Sequence, residues 1–400
     1  MKKLIAIAAV LGLASSMASA QVGNFKYDGK FEFHKFYNNN TTDANDNASD
    51  KEDDQDYRAN IGINFDANDD VNVQVNLIKN AGANDVEFGQ AYVSIPQVLK
   101  LDHKFGRMFY GEAGDIVAYY GPDAWYVSDM PYTALEGWNG VWKNDKMTVG
   151  AVFGKEVDAK NAENTDENVY GLTVNYPVND MFNPTAYYYK HNTIAAGTDN
   201  KLNVFGVKAN GKIKGVSYYA EYAMNSGEQT ATVDYEGSAF IAGAAMDVEL
   251  AGKWTFNAEY ASGSGDDTGA DDNDFYGVSE NYRPGIIWGS GANSLGNLTT
   301  WNVGAKWNPD FQEKLTLSGK FLNFSPTEDA GLTYDTYGSE LNVCAKWQHT
   351  ENVGLKAYYA AFMFDKEYVD ADAIIGDGVN NGNGTDDMAY QFGLLATVKF

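Results

Sequence analysis

Cysteine, proline and long apolar runs are all scarce in this chain. Cys344 is the only cysteine, which excludes a disulfide framework. Proline accounts for 8 of the 400 residues, a composition that suits long β-strands because proline interrupts a strand ladder. Apart from an N-terminal apolar run at residues 4–13, no stretch approaches the roughly 20 residues of a membrane-spanning helix. Stability must therefore come from burial or from a closed backbone ladder.

Catalytic signatures are missing as well. The four histidines, His34, His103, His191 and His349, fall in unrelated segments without the spacing of a zinc site. The sequence contains no Gly-x-Ser-x-Gly elbow and no phosphate-binding loop. We therefore predict a protein without enzymatic activity, without catalytic residues and without an organic cofactor.

Acidic residues outnumber basic ones, 55 to 29, and the formal net charge is −26. Such a chain would repel nucleic-acid phosphates, so nucleic acid is excluded as a partner. The charge fits a surface that attracts cations, including the divalent ions that bridge lipopolysaccharide. Outer-membrane lipid and lipopolysaccharide are accordingly predicted partners.

The N-terminus predicts export. Lys2 and Lys3 precede the apolar run, and Ala18-Ser19-Ala20 forms a small-residue cleavage site. This is the pattern of a secretory signal peptide at residues 1–20, and the run is too short for a membrane anchor. The mature chain is then expected in the cell envelope or beyond it.

Hydrophobic alternation with a period of two runs through the mature sequence. Val71, Val73, Val75 and Leu77 alternate with asparagine and glutamine, so one face of this strand is apolar and the other polar. The same alternation recurs at residues 59–65, 170–176, 216–224, 254–260, 301–307 and 341–347. Many segments have the length of about ten residues that crosses a bilayer at a tilt. The pattern predicts an all-β fold, a transmembrane antiparallel β-barrel with a wet lumen.

The connections between these segments alternate between short and long. Short turns are predicted at residues 68–70, 144–146, 210–212 and 348–352, and long loops at residues 38–56, 111–132, 156–168, 262–295 and 365–387. Short periplasmic turns and long extracellular loops are typical of outer-membrane barrels. The count is about 18 strands. Sixteen stays open, since the segments around Ser94, Lys104 and Pro184 are the weakest strands.

The last segment alternates without interruption to the C-terminus. Tyr390, Val398 and Phe400 lie on its apolar face, and Phe400 is the final residue. A terminal aromatic residue on such a strand resembles the assembly signal of outer-membrane proteins. These three residues are therefore predicted to direct membrane assembly.

Residues 104–111, Lys-Phe-Gly-Arg-Met-Phe-Tyr-Gly, resemble the Gram-negative general porins, in which a strand ending in Gly-Arg leads into a third loop that folds into the barrel. Residues 122–125 and 138–142 are similar to that loop and to the strand that leaves it. The resemblance implies one barrel domain at residues 21–400, an inward loop at about 111–132, a homotrimer, and passive diffusion of small hydrophilic solutes and ions. A looser resemblance, at residues 297–317, is to alginate-export barrels of 18 strands.

Charged side chains at the narrowest point of a channel set its selectivity. If the third loop folds inward, its carboxylates are expected to line one side of the constriction: Glu112, Asp115, Asp123 and Asp129. Strand parity turns Lys26, Lys30 and Arg58 into the lumen. Arg107 is expected to join this basic wall, although simple parity places it on the lipid face beside Phe105.

Two further functions stay open. The loop carboxylates Asp266, Asp267, Asp271, Asp272 and Asp274 are hard oxygen ligands of the kind that Ca²⁺ prefers, although their spacing is not that of an EF-hand. A solvated acidic loop is the simpler interpretation. A substrate-specific channel, a barrel that carries adhesive loops, and a soluble β-rich binding protein are the alternatives to a diffusion channel.

Overall fold

The computed structural model describes residues 23–39, 51–81, 83, 85–127, 129–158, 166–195, 198–266, 271–291, 294–329, 331–365, 367–368 and 388–400. The predicted signal peptide at residues 1–20 and nearly all of the predicted loop at 365–387 lie outside these ranges.

One antiparallel sheet of 18 strands forms the body of the molecule. Its strands, labelled in chain order, are β1 Gly23–Asn39, β2 Glu52–Asn68, β3 Val71–Asn80, β4 Glu87–Val98, β5 Leu101–Met108, β6 Leu135–Lys143, β7 Thr148–Asp158, β8 Asp166–Asn175, β9 Asn183–Ala195, β10 Thr198–Ile213, β11 Val216–Ser226, β12 Ser238–Glu249, β13 Gly252–Gly263, β14 Thr299–Pro309, β15 Leu315–Ser325, β16 Gly338–Gln348, β17 Val353–Phe364 and β18 Ala389–Lys399.

Each strand pairs with the next along the chain, and β18 returns to β1, in a register that runs from Lys30 opposite Lys399 to Asn39 opposite Tyr390. The sheet is therefore a closed barrel without free edges, which satisfies every strand's backbone in lipid. The predicted all-β barrel and its 18 strands are confirmed, and the alternative of 16 is wrong. The weakly predicted strands around Ser94, Lys104 and Pro184 are β4, β5 and β9.

The outer surface of the barrel is apolar. Phe205 and Val207 on β10 are 46% and 58% exposed, whereas their neighbour Lys208 points into the lumen, where it contacts a loop carboxylate. The same outward exposure occurs on other strands, as at Leu341 and Val343 of β16. A contiguous apolar surface of this extent is stable only against lipid.

Several predicted boundaries differ from the structure. The predicted loop at 156–168 overlaps β7, which ends at Asp158, and β8, which begins at Asp166. The predicted turn at residues 210–212 lies inside β10, and the chain reverses instead at Lys214 and Gly215, whose φ angles are 49° and 89°. Two consecutive positive φ angles make a turn whose twist matches the flanking strands. Strands β1 and β2 also extend into the loop predicted at 38–56. Cross-strand pairs such as Asn38 with Glu52, 3.0 Å apart, stabilise this extension.

Helical structure contributes little: α1, at Trp288–Gly291, is 4 residues long. Within the described ranges, no helix is long and apolar enough to cross a membrane.

An apolar core lies inside the barrel. Lumen-facing side chains at the extracellular ends of the strands, such as Val169, Val204 and Phe362, are fully buried. They pack against apolar residues of two loops: loop 3 (residues 109–134) and loop 7 (residues 264–298). This core places both loops within the lumen.

Candidate functional site

Loop 3 and loop 7 are hydrogen-bonded to each other inside the barrel. The amide of Tyr119 donates to the carbonyl of Ser279 over 2.8 Å, and the amide of Ser279 donates to the carbonyl of Val117 over 3.0 Å. These two backbone hydrogen bonds fix one loop relative to the other. The lumen is therefore narrowed by a pair of loops rather than by loop 3 alone.

Arg283 of loop 7 and Asp123 of loop 3 form the ionic contact between the loops. The Arg283 Nη2 atom lies 3.0 Å from Asp123 Oδ2, and its Nε donates to Oδ1 over 3.2 Å. Asn281 donates to the same Oδ1 over 2.7 Å. Asp123, predicted to face the channel as a constriction carboxylate, is thus engaged in a two-pronged pair between the loops, which is the strong geometry for arginine and carboxylate.

Glu340 on β16 fixes loop 7 to the barrel wall. Its carboxylate is fully buried and accepts hydrogen bonds from the backbone amides of Ile286, Ile287 and Trp288, at 2.6, 3.2 and 3.0 Å. A Cβ on Gly285 would overlap this carboxylate, so the close approach requires glycine. Loop 7 is therefore anchored by one buried charge.

Arg58 on β2 anchors loop 3. Its Nη2 lies 2.9 Å from Oε2 of Glu32, and both residues are buried. Its Nη1 donates to the carbonyl oxygens of Asp123 and Met130, at 3.2 and 3.3 Å. The predicted basic-wall residue Arg58 does point into the lumen, but its guanidinium is occupied by holding the loop.

A cavity of about 610 Å³ lies between loop 3, loop 7 and the wall. We call it the loop cavity. Its basic groups are Lys208, Arg283 and Lys320, and its acidic groups are Glu112, Asp115, Glu221 and Glu259. Asp115, predicted as a constriction residue, lies 3.2 Å from Lys208 Nζ and accepts the amides of Val117 and Ala118 on its other oxygen. Glu221 is the cross-strand neighbour of Lys208, so acidic and basic groups are interspersed around this part of the lumen.

A second cavity of about 380 Å³, the periplasmic cavity, reaches the turn between β16 and β17. Four lysines line it, Lys30, Lys346, Lys356 and Lys399, together with Glu351 and the thiol-bearing Cys344. Lys30, a predicted basic-wall residue, lies 2.6 Å from Glu32. This part of the lumen is predominantly basic.

Trp125 of loop 3 packs next to the periplasmic cavity. The Lys356 Nζ atom lies 3.7 Å from the centre of a Trp125 ring, a cation–π contact, and the Tyr358 ring is 4.5 Å away. His34 on β1 also contacts this tyrosine, through a 2.8 Å hydrogen bond between its Nε2 atom and the Tyr358 hydroxyl. Loop 3 thus contacts the far wall of the barrel through an aromatic side chain.

The other predicted constriction residues lie elsewhere. Arg107 is on the outer face, where its Nη1 is 2.6 Å from Glu136 on β6, so it is absent from the basic wall. The strand pairing is regular at this point, and no bulge redirects the side chain inward. Lys26 is exposed near the beginning of β1. Asp129 is exposed, and its amide donates to Asp56 over 3.0 Å.

Loop 7 carries two perturbed carboxyl groups. Burial raises the pKa of Glu280 to about 7, although the amides of Gly277 and Leu295 and the side chain of Ser294 act in the opposite direction. Burial and the adjacent Asp272 raise the pKa of Asp274. The Glu280 carboxyl of loop 7 therefore changes charge near neutral pH.

Three of the predicted calcium ligands, Asp271, Asp272 and Asp274, accept backbone amides. Asp274 accepts the amide of Asp266, and Asp272 accepts that of Asp274, each over 3.0 Å. Asp271 accepts the amide of Asp234 over 3.1 Å, and Asp267 lies outside the described residues. The calcium site stays a prediction.

The C-terminal residue closes the barrel. Phe400 exchanges two backbone hydrogen bonds with Gly29 of β1, at 2.8 and 3.0 Å, and its ring covers the space that a Gly29 Cβ would need. Phe400 and Val398 face outward, at 59% and 37% exposure. Their role, with Tyr390, in assembly stays a prediction.

Sequence reasoning predicted a long loop at residues 262–295 but missed that loop 7 enters the lumen, and it missed the anchor Glu340. A signal was present: Ile286, Ile287 and Trp288 form an apolar run within a polar loop, and Phe324 and Phe362 interrupt the polar face of their strands. Apolar side chains on the wet face of a barrel need a partner inside the lumen. When a sequence contains both such side chains and an apolar segment within a polar loop, it predicts that the loop folds into the lumen.

Solved structures from Pseudomonas aeruginosa share this fold. OpdQ is 13% identical over 94% of this chain and 97% of its own, with a TM-score of 0.63. OccK9 (OpdG) is 12% identical over 94% and 99%, with a TM-score of 0.63. The outer membrane protein OprD is 12% identical over 94% and 93%, with a TM-score of 0.59. At these identities the likeness concerns the fold alone.

No curated protein matches the sequence. A family model described as Gram-negative porin matches residues 6–285, more than half of the chain. Together with the closed barrel and its loop-narrowed lumen, this match shows that the chain belongs to the Gram-negative porin family and is a channel protein of the outer membrane.

Proposed function

We propose that the barrel passes small hydrophilic solutes and ions by passive diffusion through a lumen narrowed by loop 3 and loop 7. The observation that carries this proposal is the loop cavity, which is lined by acidic groups such as Asp115 and Glu221 and by the basic groups Lys208, Arg283 and Lys320. Charged walls keep water and polar solutes in the lumen and disfavour apolar ones.

The experiment is single-channel recording of the refolded mature chain in a planar bilayer under a salt gradient. Ohmic current steps are the expected result, and the reversal potential gives the ion preference. Liposome swelling with neutral sugars of increasing size then measures the size limit. Absence of current from protein that is inserted and heat-modifiable would refute the diffusion proposal.

A substrate-specific channel is the second candidate, because the two cavities differ in charge along the lumen. The loop cavity is mixed, whereas the periplasmic cavity is lined by Lys30, Lys346, Lys356 and Lys399. A mixed-charge cavity followed by a basic cavity favours a solute that carries a carboxylate, because the lysines of the second cavity attract that group. Saturation of solute flux, and block of the ionic current by that solute, would distinguish this candidate from simple diffusion.

Three further proposals come from the sequence: a cleaved signal peptide, a homotrimer and contact with lipopolysaccharide. N-terminal sequencing of the outer-membrane protein tests the first. Chemical crosslinking of intact outer membranes tests the second, since a trimer gives a product of three chains. Co-purification of lipopolysaccharide with the barrel, and its release by a chelator, tests the third.

A further inference from the structure

Three metal-ligating side chains meet on the inner wall of the barrel near its extracellular end. Glu156, Glu167 and His191 belong to the adjacent strands β7, β8 and β9, and their ligand atoms all lie within 4.8 Å of one another. Within the described residues, this is the one group of three or more His, Cys, Asp or Glu side chains that converges in this way. We call it the Glu-Glu-His cluster.

The strand register creates the cluster. On β9, His191 pairs with Val169 of β8, so Glu167 is two positions away on the same inner face. The pairing of β8 with β7 shifts between Asp166 and Asn168, next to Glu167. A bulge of this kind changes the direction of a side chain, and this one lies where the side chains of Glu167 and Glu156 come together.

The two carboxyl groups and the imidazole of the cluster can together stabilise a bound cation. Carboxylates on Glu156 and Glu167 repel each other when both are ionised, and a cation bound between them and His191 would remove this repulsion. The Tyr120 hydroxyl of loop 3, which donates to the carbonyl of Val278 over 3.3 Å, lies beside the cluster. The Nε2 atom of His191 is buried without a hydrogen-bond partner and lies 3.7 Å from Glu167 Oε2.

We propose that the Glu-Glu-His cluster binds a divalent transition-metal ion of the Zn²⁺ type. Neutral imidazole and carboxylate oxygens are ligands that zinc accepts, whereas calcium prefers six to eight oxygens. Zinc lies about 2.0–2.2 Å from such ligands, so ligand atoms around one ion are roughly 3.3 Å apart. Small side-chain rotations bring the three ligand atoms to that spacing. Three protein ligands leave a fourth position for water.

Metal binding at this site would act on loop 3. An ion at the cluster lies beside Tyr120, which is fully buried in the core that holds loop 3 in the lumen. Occupancy is therefore expected to change the position of loop 3 and with it the single-channel current. This consequence rests on the proposed channel function, whereas the binding itself does not.

The binding test uses the refolded mature barrel in detergent, with Co²⁺ as the probe because its visible absorption reports coordination. Zn²⁺ is then added as competitor, and its affinity is measured by calorimetry. We expect one Co²⁺ per chain with a visible spectrum that Zn²⁺ abolishes. His191→Gln should weaken Zn²⁺ binding at least about tenfold, as the loss of even indirect support for a metal does. Glu167→Gln should weaken it similarly.

The matched control is His349→Gln, the same substitution in the exposed turn between β16 and β17. It should leave Zn²⁺ affinity unchanged. Wild-type protein that binds neither Co²⁺ nor Zn²⁺ would overturn the site, as would His191→Gln and Glu167→Gln variants that are folded and bind like wild type. If Zn²⁺ binds at the cluster but leaves the single-channel current unchanged, the coupling to loop 3 is wrong and the metal site stands.

Discussion

Replacing Glu340 by alanine should release loop 7 from the barrel wall. The buried carboxylate accepts three backbone amides, those of Ile286, Ile287 and Trp288. Hydrogen bonds to a charged group contribute roughly 1.5–3 kcal/mol each, and an amide left buried without a partner is costly. Desolvation of the carboxylate offsets part of this gain, so we expect a net loss of about 3 kcal/mol in the free energy that holds loop 7 in place.

A loss of that size corresponds to about a hundredfold rise in the population of the released loop, at roughly 1.4 kcal/mol per factor of ten. Loop 7 keeps other contacts, such as the hydrogen bond from Lys320 to the carbonyl of Pro284 at 3.2 Å. Release should therefore be transient. It should be visible as brief steps to higher conductance in single-channel recordings.

The assay compares the frequency of these steps in wild type, Glu340→Ala and Glu340→Gln. Glutamine keeps one oxygen acceptor and the side-chain volume, so its effect should be intermediate. Glu313→Ala, in an exposed turn between β14 and β15, is the control and should behave like wild type. A Glu340→Ala barrel that is heat-modifiable and shows the wild-type step frequency would refute the anchoring role.

Three other changes test separate parts of the structure. Asp115→Asn removes the partner of Lys208, 3.2 Å away, so the reversal potential should move toward anion preference; an unchanged potential would show that the ion path avoids this pair. Gly29→Val places a side chain where the Phe400 ring lies, so the yield of heat-modifiable barrel should fall. Phe400→Ala is the comparison, and a normal yield from both variants would contradict a role of this contact in assembly. The Glu280 pKa of about 7 lies above its ordinary value of 4.5, so the folded loop binds the proton more tightly than the unfolded chain does. Loop 7 therefore gains stability as the pH falls through 7, and this gain is complete near pH 4.5. Hydrogen exchange of loop 7 amides, corrected for the intrinsic rate, should therefore slow between pH 8 and pH 6 in wild type but not in Glu280→Gln, and equal behaviour of the two would remove Glu280 as the titrating group.

The barrel itself was predictable from sequence. Alternation such as that of Val71, Val73 and Val75 reports a strand with two different faces, because successive side chains leave the backbone in opposite directions. Strand ends were less predictable. The extension of β1 and β2, and the turn at Lys214 and Gly215, depend on cross-strand contacts that no local pattern contains.

The candidate site was predicted only in part. Glu112, Asp115 and Lys30 line the two cavities, since loop position and strand parity were enough to place them. Arg107 was assigned to the basic wall against its own parity, and the structure places it outside, beside Glu136. Arg58 was placed correctly in the lumen, yet its carbonyl partners on loop 3 are about 70 residues away along the chain.

By itself, therefore, the sequence determined the closed barrel, its membrane-facing surface and the side of the wall on which each strand residue lies. These features follow from a backbone period of two and from the need to pair every peptide group in lipid. Tertiary structure alone decided that loop 7 joins loop 3 in the lumen, that Glu340 holds loop 7, and that Glu156, Glu167 and His191 meet. Those contacts join residues from separate strands and loops, and strand register and loop packing set their distances.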